Sequence, residues 1–221
     1  MLPEHAHENM VEQQIRPWDV LDQRILNVLG SVPRGEFVQP EHRGIAFSDY
    51  QLPIGHGQSL LKPNIDGRIL QALMVEADES VLEIGTGSGY LAACLASLGK
   101  QVTSIEINEA LSQSATERLA RLGYTNVTTK VQDAAAAWDA ADHYDAIVLT
   151  GSVEIVPDFY REKLTPGHGR MFVVIGSEKS PTMEAQLIVR ASESEWIKES
   201  LFETSLPPLQ NFDTVAQTFS F

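Results

Sequence analysis

Cysteine is almost missing from this chain. Of 221 residues, only Cys94 carries a thiol. A lone cysteine closes no intramolecular disulfide, and that fits a reducing compartment. Positive charge is also scarce: 16 Lys and Arg stand against 30 Asp and Glu, a formal net charge of −14. So acidic a surface repels phosphate backbones, so no nucleic-acid partner is expected. No apolar run approaches the ~18–20 residues of a membrane span, so no membrane partner is expected either. The start, Met1-Leu2-Pro3-Glu4-His5, lacks the basic and apolar regions of a secretory signal. His5, His7, His42, His143 and His168 show no metal-ligand spacing, and no metal is expected. Trp18, Trp138 and Trp196 are too widely spaced for a base-stacking platform and read as core or surface anchors. There is no internal repeat. What remains is a soluble, cytoplasmic globular protein, long enough to bury a large core. Its oligomeric state is left open.

Two textures follow one another. Residues 1–77 read as helices and loops, and residues 78–221 alternate strand with helix, the two forming one compact unit. In the first part Glu8 to Ile15 reads as a helix that Pro17 ends. Asp19 reads as the cap of the next helix, with Asp22 three residues on. Val20, Leu21, Ile25, Val28 and Leu29 form that helix's apolar face. The segment Leu52-Pro53-Ile54-Gly55-His56-Gly57-Gln58-Ser59 has too many breakers for a regular element. Pro63 or Asn64 opens another helix, with Ile65, Ile69, Leu70 and Leu73 inward. In the second part strands are expected at 80–84, 101–105, 127–131, 144–149 and 170–175, with helices at 89–98 and 109–122 between them. The segments 186–190 and 196–202 read as edge or antiparallel strands. This alternation implies an α/β fold: a doubly wound, mostly parallel sheet with helical N-terminal decoration.

The sharpest local signal is Glu83-Ile84-Gly85-Thr86-Gly87-Ser88-Gly89-Tyr90, where a strand runs into a helix. Glycines there permit a tight turn and a close approach of ligand to backbone. The spacing is G-x-G-x-G, not the dinucleotide G-x-G-x-x-G. The leading Glu83 disfavours a pyrophosphate and suits a ligand bearing an ammonium group, as S-adenosylmethionine does. That makes a dinucleotide oxidoreductase a distant alternative. Glu106, with Ile107 beside it, ends the next strand about 20 residues on, where a carboxylate can accept from both ribose hydroxyls. Asp133 follows the third strand and can accept from an adenine amino group or cap the turn at Ala134. The candidate cofactor residues are therefore Glu83, Gly85, Thr86, Gly87, Ser88, Gly89, Glu106, Ile107 and Asp133.

Residues 78–176 resemble the class I S-adenosylmethionine-dependent methyltransferases, which have a Rossmann-like fold. The N-terminal strings narrow the resemblance. Met10-Val11-Glu12-Gln13-Gln14-Ile15-Arg16, Val32-Pro33-Arg34-Gly35-Glu36-Phe37-Val38, Ala46-Phe47-Ser48-Asp49 and Leu52–Ser59 precede Val81–Tyr90 in order. This succession resembles the protein-L-isoaspartate O-methyltransferase family. Leu206-Pro207-Pro208-Leu209 is similar to that family's terminal strand. The resemblance implies methyl transfer from S-adenosylmethionine to the free carboxylate of an isoaspartyl residue in a damaged protein or peptide. The ester then re-forms a succinimide, which permits repair.

The substrate loop departs from the family. Where the family has Gly-Gln-Thr-Ile-Ser-Gln-Pro, this chain has Gly57-Gln58-Ser59-Leu60-Leu61-Lys62-Pro63. Ser59 keeps a hydroxyl; Leu61 loses one; Lys62 replaces glutamine. Ser59, His56 and Lys62 are the candidate catalytic residues, with Asp49 bracing the loop through backbone amides. Each has a plainer reading: Ser59 as a turn cap, His56 as a structural loop residue, Lys62 as a solvent-facing lysine. Gly151-Ser152 and Gln132-Asp133-Ala134 are further departures. They leave two alternatives open: a related methyltransferase with a different acceptor, or a non-catalytic S-adenosylmethionine-binding protein.

Overall fold

Val81, Leu82 and Ile84 flank Glu83 on a strand with apolar residues on both faces, as in a strand buried within a parallel sheet. That strand lies at the centre of the fold. The computed structural model describes residues 3–136, 143–180 and 182–212. Its strands in chain order are β1 (Pro53–Gly55), β2 (Gln58–Ser59), β3 (Ser80–Ile84), β4 (Gln101–Glu106), β5 (Val127–Val131), β6 (Ala146–Val153), β7 (Arg170–Ile175), β8 (Met183–Arg190) and β9 (Trp196–Thr204). The helices are α1 (Pro3–Asn9), α2 (Gln23–Ser31), α3 (Pro63–Leu73), α4 (Tyr90–Leu98), α5 (Glu109–Arg121) and α6 (Asp158–Glu162).

The main sheet runs β5-β4-β3-β6-β7-β8-β9. β5 through β7 pair in parallel, and β8 and β9 add antiparallel at one edge. Chain order moves outward from β3 to β5, then crosses back to β6 on the other side of β3. Such a reversal opens a crevice at the strand carboxyl ends.

Alternation along the strands divides the core into two layers. Val81, Val102, Val148 and Phe172 pack with α2, α3 and α4. Leu82, Ile147, Leu149 and Val173 pack with Tyr160 of α6 and Phe212 on the other side. The alternating strands and helices thus form as the sequence implies.

The N-terminal region differs in detail. Helix α1 runs directly into a wider π-type turn, Met10–Ile15, and a 3-10 turn, Arg16–Trp18, that contains Pro17. The chain leaves the helix at Asp19, which has φ 59° and closes the preceding helix without capping the next. Asp22 is the cap of α2: its side chain accepts from Arg24 N at 2.7 Å. Leu21, expected on the apolar face, is exposed, whereas Val20, Ile25, Val28 and Leu29 are buried.

The breaker-rich segment forms the β1–β2 hairpin. His56 and Gly57 turn it with φ of 52° and 73°, the sign pattern of a type I′ turn. Its extreme shortness hides it from a periodicity test. β6 continues past the expected end at Leu149 to Val153, with a register shift against β7. Among the described residues after β9, 205–212 form no strand. This segment returns to β6 at a single bridge, Ser152 to Pro208. A Cβ on Gly151 would lie 2.8 Å from Pro207 O, so this return needs glycine there. Helix α6 is not foreseen. Ala137 and Trp138 fall outside the described residues.

Candidate active site

At the carboxyl ends of β3, β4, β5 and β6 lies a cleft lined by Glu83, the glycine turn, Glu106, Ile107, Asp133 and Thr150. Gly85, Gly87 and Gly89 have φ of 95°, 52° and 87°. The tightest point is Gly85, where a Cβ would meet Thr150 Oγ1 at 2.2 Å and where φ already favours glycine. Thr150 Oγ1 donates to Ile84 O at 2.9 Å and Gly85 O at 3.0 Å, pinning the turn to β6.

Glu83 is fully buried. Its Oε2 accepts from Ser104 Oγ, which also lies 2.5 Å from Thr86 Oγ1. Its Oε1 has no partner. Burial pushes the carboxyl up to about 8; nearby Glu106 and Asp66 add to the rise, and the Ser104 hydrogen bond opposes it. Glu106 ends β4. Its Oε2 accepts from Gly87 N at 2.8 Å and its Oε1 from Asn108 N at 3.0 Å. The carboxylate therefore ties the glycine turn to the second strand while lining the cleft. Asp133 serves both readings open for it. It lines the cleft, and its Oδ1 caps the turn by accepting from Ala135 N at 3.0 Å, while Asn211 donates to Oδ2 at 2.7 Å. Eight of the nine cofactor candidates line this cleft; Gly89 does not, and instead lies against Ala115 and Leu119 of α5, where a Cβ would meet them at 3.3 Å.

The other wall is the hairpin and its exit, with Gln51, Ile54, Gln58, Ser59, Leu60 and Leu61. Ile54 sits over the glycine turn: a Cβ on Gly87 would lie 3.1 Å from Ile54 Cδ1. Of the three catalytic candidates, only Ser59 reaches the lining. His56 is exposed at the hairpin tip. Lys62 points to Asp49, Nζ to Oδ1 3.8 Å, so Asp49 meets the loop through a side chain where backbone amides were expected.

Two residues of the site escape the sequence reading. Arg34 and Asp66 are buried together, with Arg34 Nη1 2.7 Å from Asp66 Oδ2. Arg34 also donates through Nε to Ala46 O at 3.0 Å and through Nη2 to Leu61 O, and its guanidinium lies 4.5 Å from the centre of the Tyr90 ring. Asp66 Oδ1 has no partner, and Asp66 lines the cleft. Burial raises its carboxyl to about 6 against the pull of Arg34. A signal existed: Asp66 stands three, four and seven residues before Ile69, Leu70 and Leu73, on the buried stripe of α3. A carboxylate on such a stripe requires a partner.

A family model described as protein-L-isoaspartate(D-aspartate) O-methyltransferase matches residues 5–211. The chain belongs to this family. Among curated isoaspartate methyltransferases, a protein-L-isoaspartate O-methyltransferase 1 of Cupriavidus necator is 44% identical over 158 residues, 72% of this chain and 61% of that protein. One from Opitutus terrae is 42% identical, covering 80% of this chain and 75% of the relative. One from Synechococcus is 35% identical, covering 91% and 84%. The match thus spans less than two thirds of the Cupriavidus relative's own length. A solved Plasmodium falciparum structure, described as a protein-L-isoaspartate O-methyltransferase in complex with S-adenosyl-L-homocysteine, shares the fold. Its TM-score is 0.79 at 20% identity, over 92% of this chain and 98% of that one.

Proposed function

We propose that this chain is an enzyme that transfers a methyl group from S-adenosylmethionine to the free carboxylate of L-isoaspartyl residues in damaged proteins and peptides. The observation that carries the reading is one continuous cleft. It joins the glycine turn, Glu83 and Glu106 to Ser59 on the hairpin, in a chain of this family.

The residues present fit the cofactor. Glu83 offers a buried carboxylate oxygen with nothing opposite it, suited to an ammonium. Glu106 is assigned to the ribose hydroxyls and Asp133 to an adenine amino group, with Gly85, Thr86, Gly87, Ser88 and Ile107 as the walls. When bound, S-adenosylmethionine supplies a methyl group on a positively charged sulfur. The acceptor carboxylate is already ionised, so the protein needs no general base. Its work is alignment and exclusion of water. Ser59 Oγ is assigned to the acceptor carboxylate, and Ile54, packed over the glycine turn, to keeping water out. His56 and Lys62, outside the lining, are assigned no contact with the reacting atoms.

The single cysteine supports a reducing, cytoplasmic location, and the acidic charge supports a partner other than nucleic acid. Among the described residues no helix is long and apolar enough to cross a membrane. Leu61 in the lining favours a second reading, the same methyl transfer to a different acceptor. The two are separated by the product formed from labelled cofactor and an isoaspartyl peptide. A carboxyl methyl ester is labile to base and releases volatile methanol. Base-stable label would assign an acceptor other than a carboxylate.

A further inference from the structure

We propose that Asp66 is a second carboxylate for the cofactor's α-ammonium group, its free Oδ1 acting together with the free Oε1 of Glu83. The inference rests on the cofactor reading above and adds a residue that the glycine turn does not announce.

Asp66 comes from α3 and Glu83 from β3, yet both line the same cleft, at 1% and 0% exposure. Each has one satisfied oxygen and one without a partner. Asp66 Oδ2 is held by Arg34, Glu83 Oε2 by Ser104, and Asp66 Oδ1 and Glu83 Oε1 by nothing. A buried carboxylate oxygen left unpaired is costly, so two of them on one cleft call for a donor from the ligand. Arg34 cannot serve both, because its Nε and Nη2 are committed to Ala46 O and Leu61 O. An ammonium brings a positive charge and three N–H donors, enough for two carboxylates at once.

The surrounding charges agree. Arg34, Tyr90 and Cys94 interact electrostatically with Asp66, and Glu83 interacts with Glu106 and Asp66. The Tyr90 hydroxyl and the Cys94 thiol are both pushed up by burial and stay neutral. Arg34, already committed to Asp66, Ala46 O and Leu61 O, is thus one cation among three carboxyl groups. A ligand carboxylate would find no free cation in this corner. The pair therefore also sets which way the amino-acid arm of the cofactor lies, ammonium inward. Since Arg34 grips Leu61 O as well as Asp66, the same contact ties the cofactor end of the cleft to the acceptor loop.

The test is calorimetric titration of the wild type and Asp66→Asn with S-adenosylhomocysteine and with 5′-methylthioadenosine, which lacks the amino-acid arm. Asp66→Asn is expected to weaken S-adenosylhomocysteine by about tenfold or more and to leave methylthioadenosine unchanged. Equal losses for both ligands, or no loss for either, overturn the inference and leave the cofactor reading standing. If Asp66→Asn does not fold, Arg34→Met with Asp66→Leu, which strands no charge, takes its place in the same titrations. It should bind S-adenosylhomocysteine about tenfold or more weakly and methylthioadenosine as the wild type does, and equal changes for both overturn the inference. In buffers of different ionisation enthalpy, S-adenosylhomocysteine should release a proton that methylthioadenosine does not, because a bound cation favours both carboxylates in ionised form. No binding of any adenosyl ligand by the wild type would overturn both this inference and the cofactor reading.

Discussion

Arg34 and Asp66 form an ion pair of 2.7 Å with both side chains sealed from water, although 32 residues separate them in the chain. Removing one partner from such a pair strands a charge, at a cost of about 3–5 kcal/mol, whereas replacing both by apolar groups is often nearly neutral. Arg34→Met is expected to fall in that range in urea denaturation near neutral pH, and Arg34→Met with Asp66→Leu to recover most of the loss. A single variant within about 1 kcal/mol of the wild type would contradict a stranded Asp66.

Glu83 gives the free protein a pH dependence of definite sign. Its folded carboxyl is raised from 4.5 to about 8, so the folded form holds a proton that the unfolded chain releases. Its contribution to stability is complete below about 4.5 and is lost as pH rises toward 8. Each tenfold change in proton affinity is worth about 1.4 kcal/mol, so the loss amounts to several kcal/mol. Asp66, raised from 3.8 to about 6, adds loss of the same sign over its own range. Denaturation midpoints of the free protein should fall between acid and mildly alkaline pH. Glu83→Gln should flatten the slope, and an unchanged slope would contradict the assignment.

Glu106→Ala removes a carboxylate that lines the cleft and also holds Gly87 N. Hydrogen bonds to a charged group contribute about 1.5–3 kcal/mol each, so S-adenosylhomocysteine should bind at least about tenfold more weakly by calorimetry. Affinity within twofold of the wild type would remove Glu106 from the ribose site.

Leu61→Ser returns a hydroxyl to the acceptor wall. One charge-assisted hydrogen bond of about 1.5–3 kcal/mol would raise kcat/KM for an isoaspartyl peptide by about one to two orders of magnitude. A fall in that rate would mean that Leu61 packs against the true acceptor.

Local chemistry was the readable part. Glycines between β3 and α4 have one structural purpose, and Val81, Leu82 and Ile84 with the apolar run Ala146–Leu149 mark buried strands, so the sheet and its cofactor end follow directly. Asp19 and Asp22 both suit the cap of α2 by side-chain chemistry. Only the left-handed backbone at Asp19, set by how the preceding turn closes, decides between them. The β1–β2 hairpin has too few residues to show a period. Lys62 turns toward Asp49, a pairing across the loop that composition does not show beside the solvent-facing and substrate readings. Arg34 and Asp66 meet only once α3 packs on the segment around Ala46, which no local pattern records.

Initial rates of methyl transfer from labelled S-adenosylmethionine to an isoaspartyl peptide, beside the same peptide with a normal aspartyl residue, decide the acceptor directly. Transfer confined to the isoaspartyl form, as a base-labile ester, is the expected result. Cofactor binding without transfer to either peptide, or equal transfer to both, would contradict isoaspartyl repair as the function of this cleft.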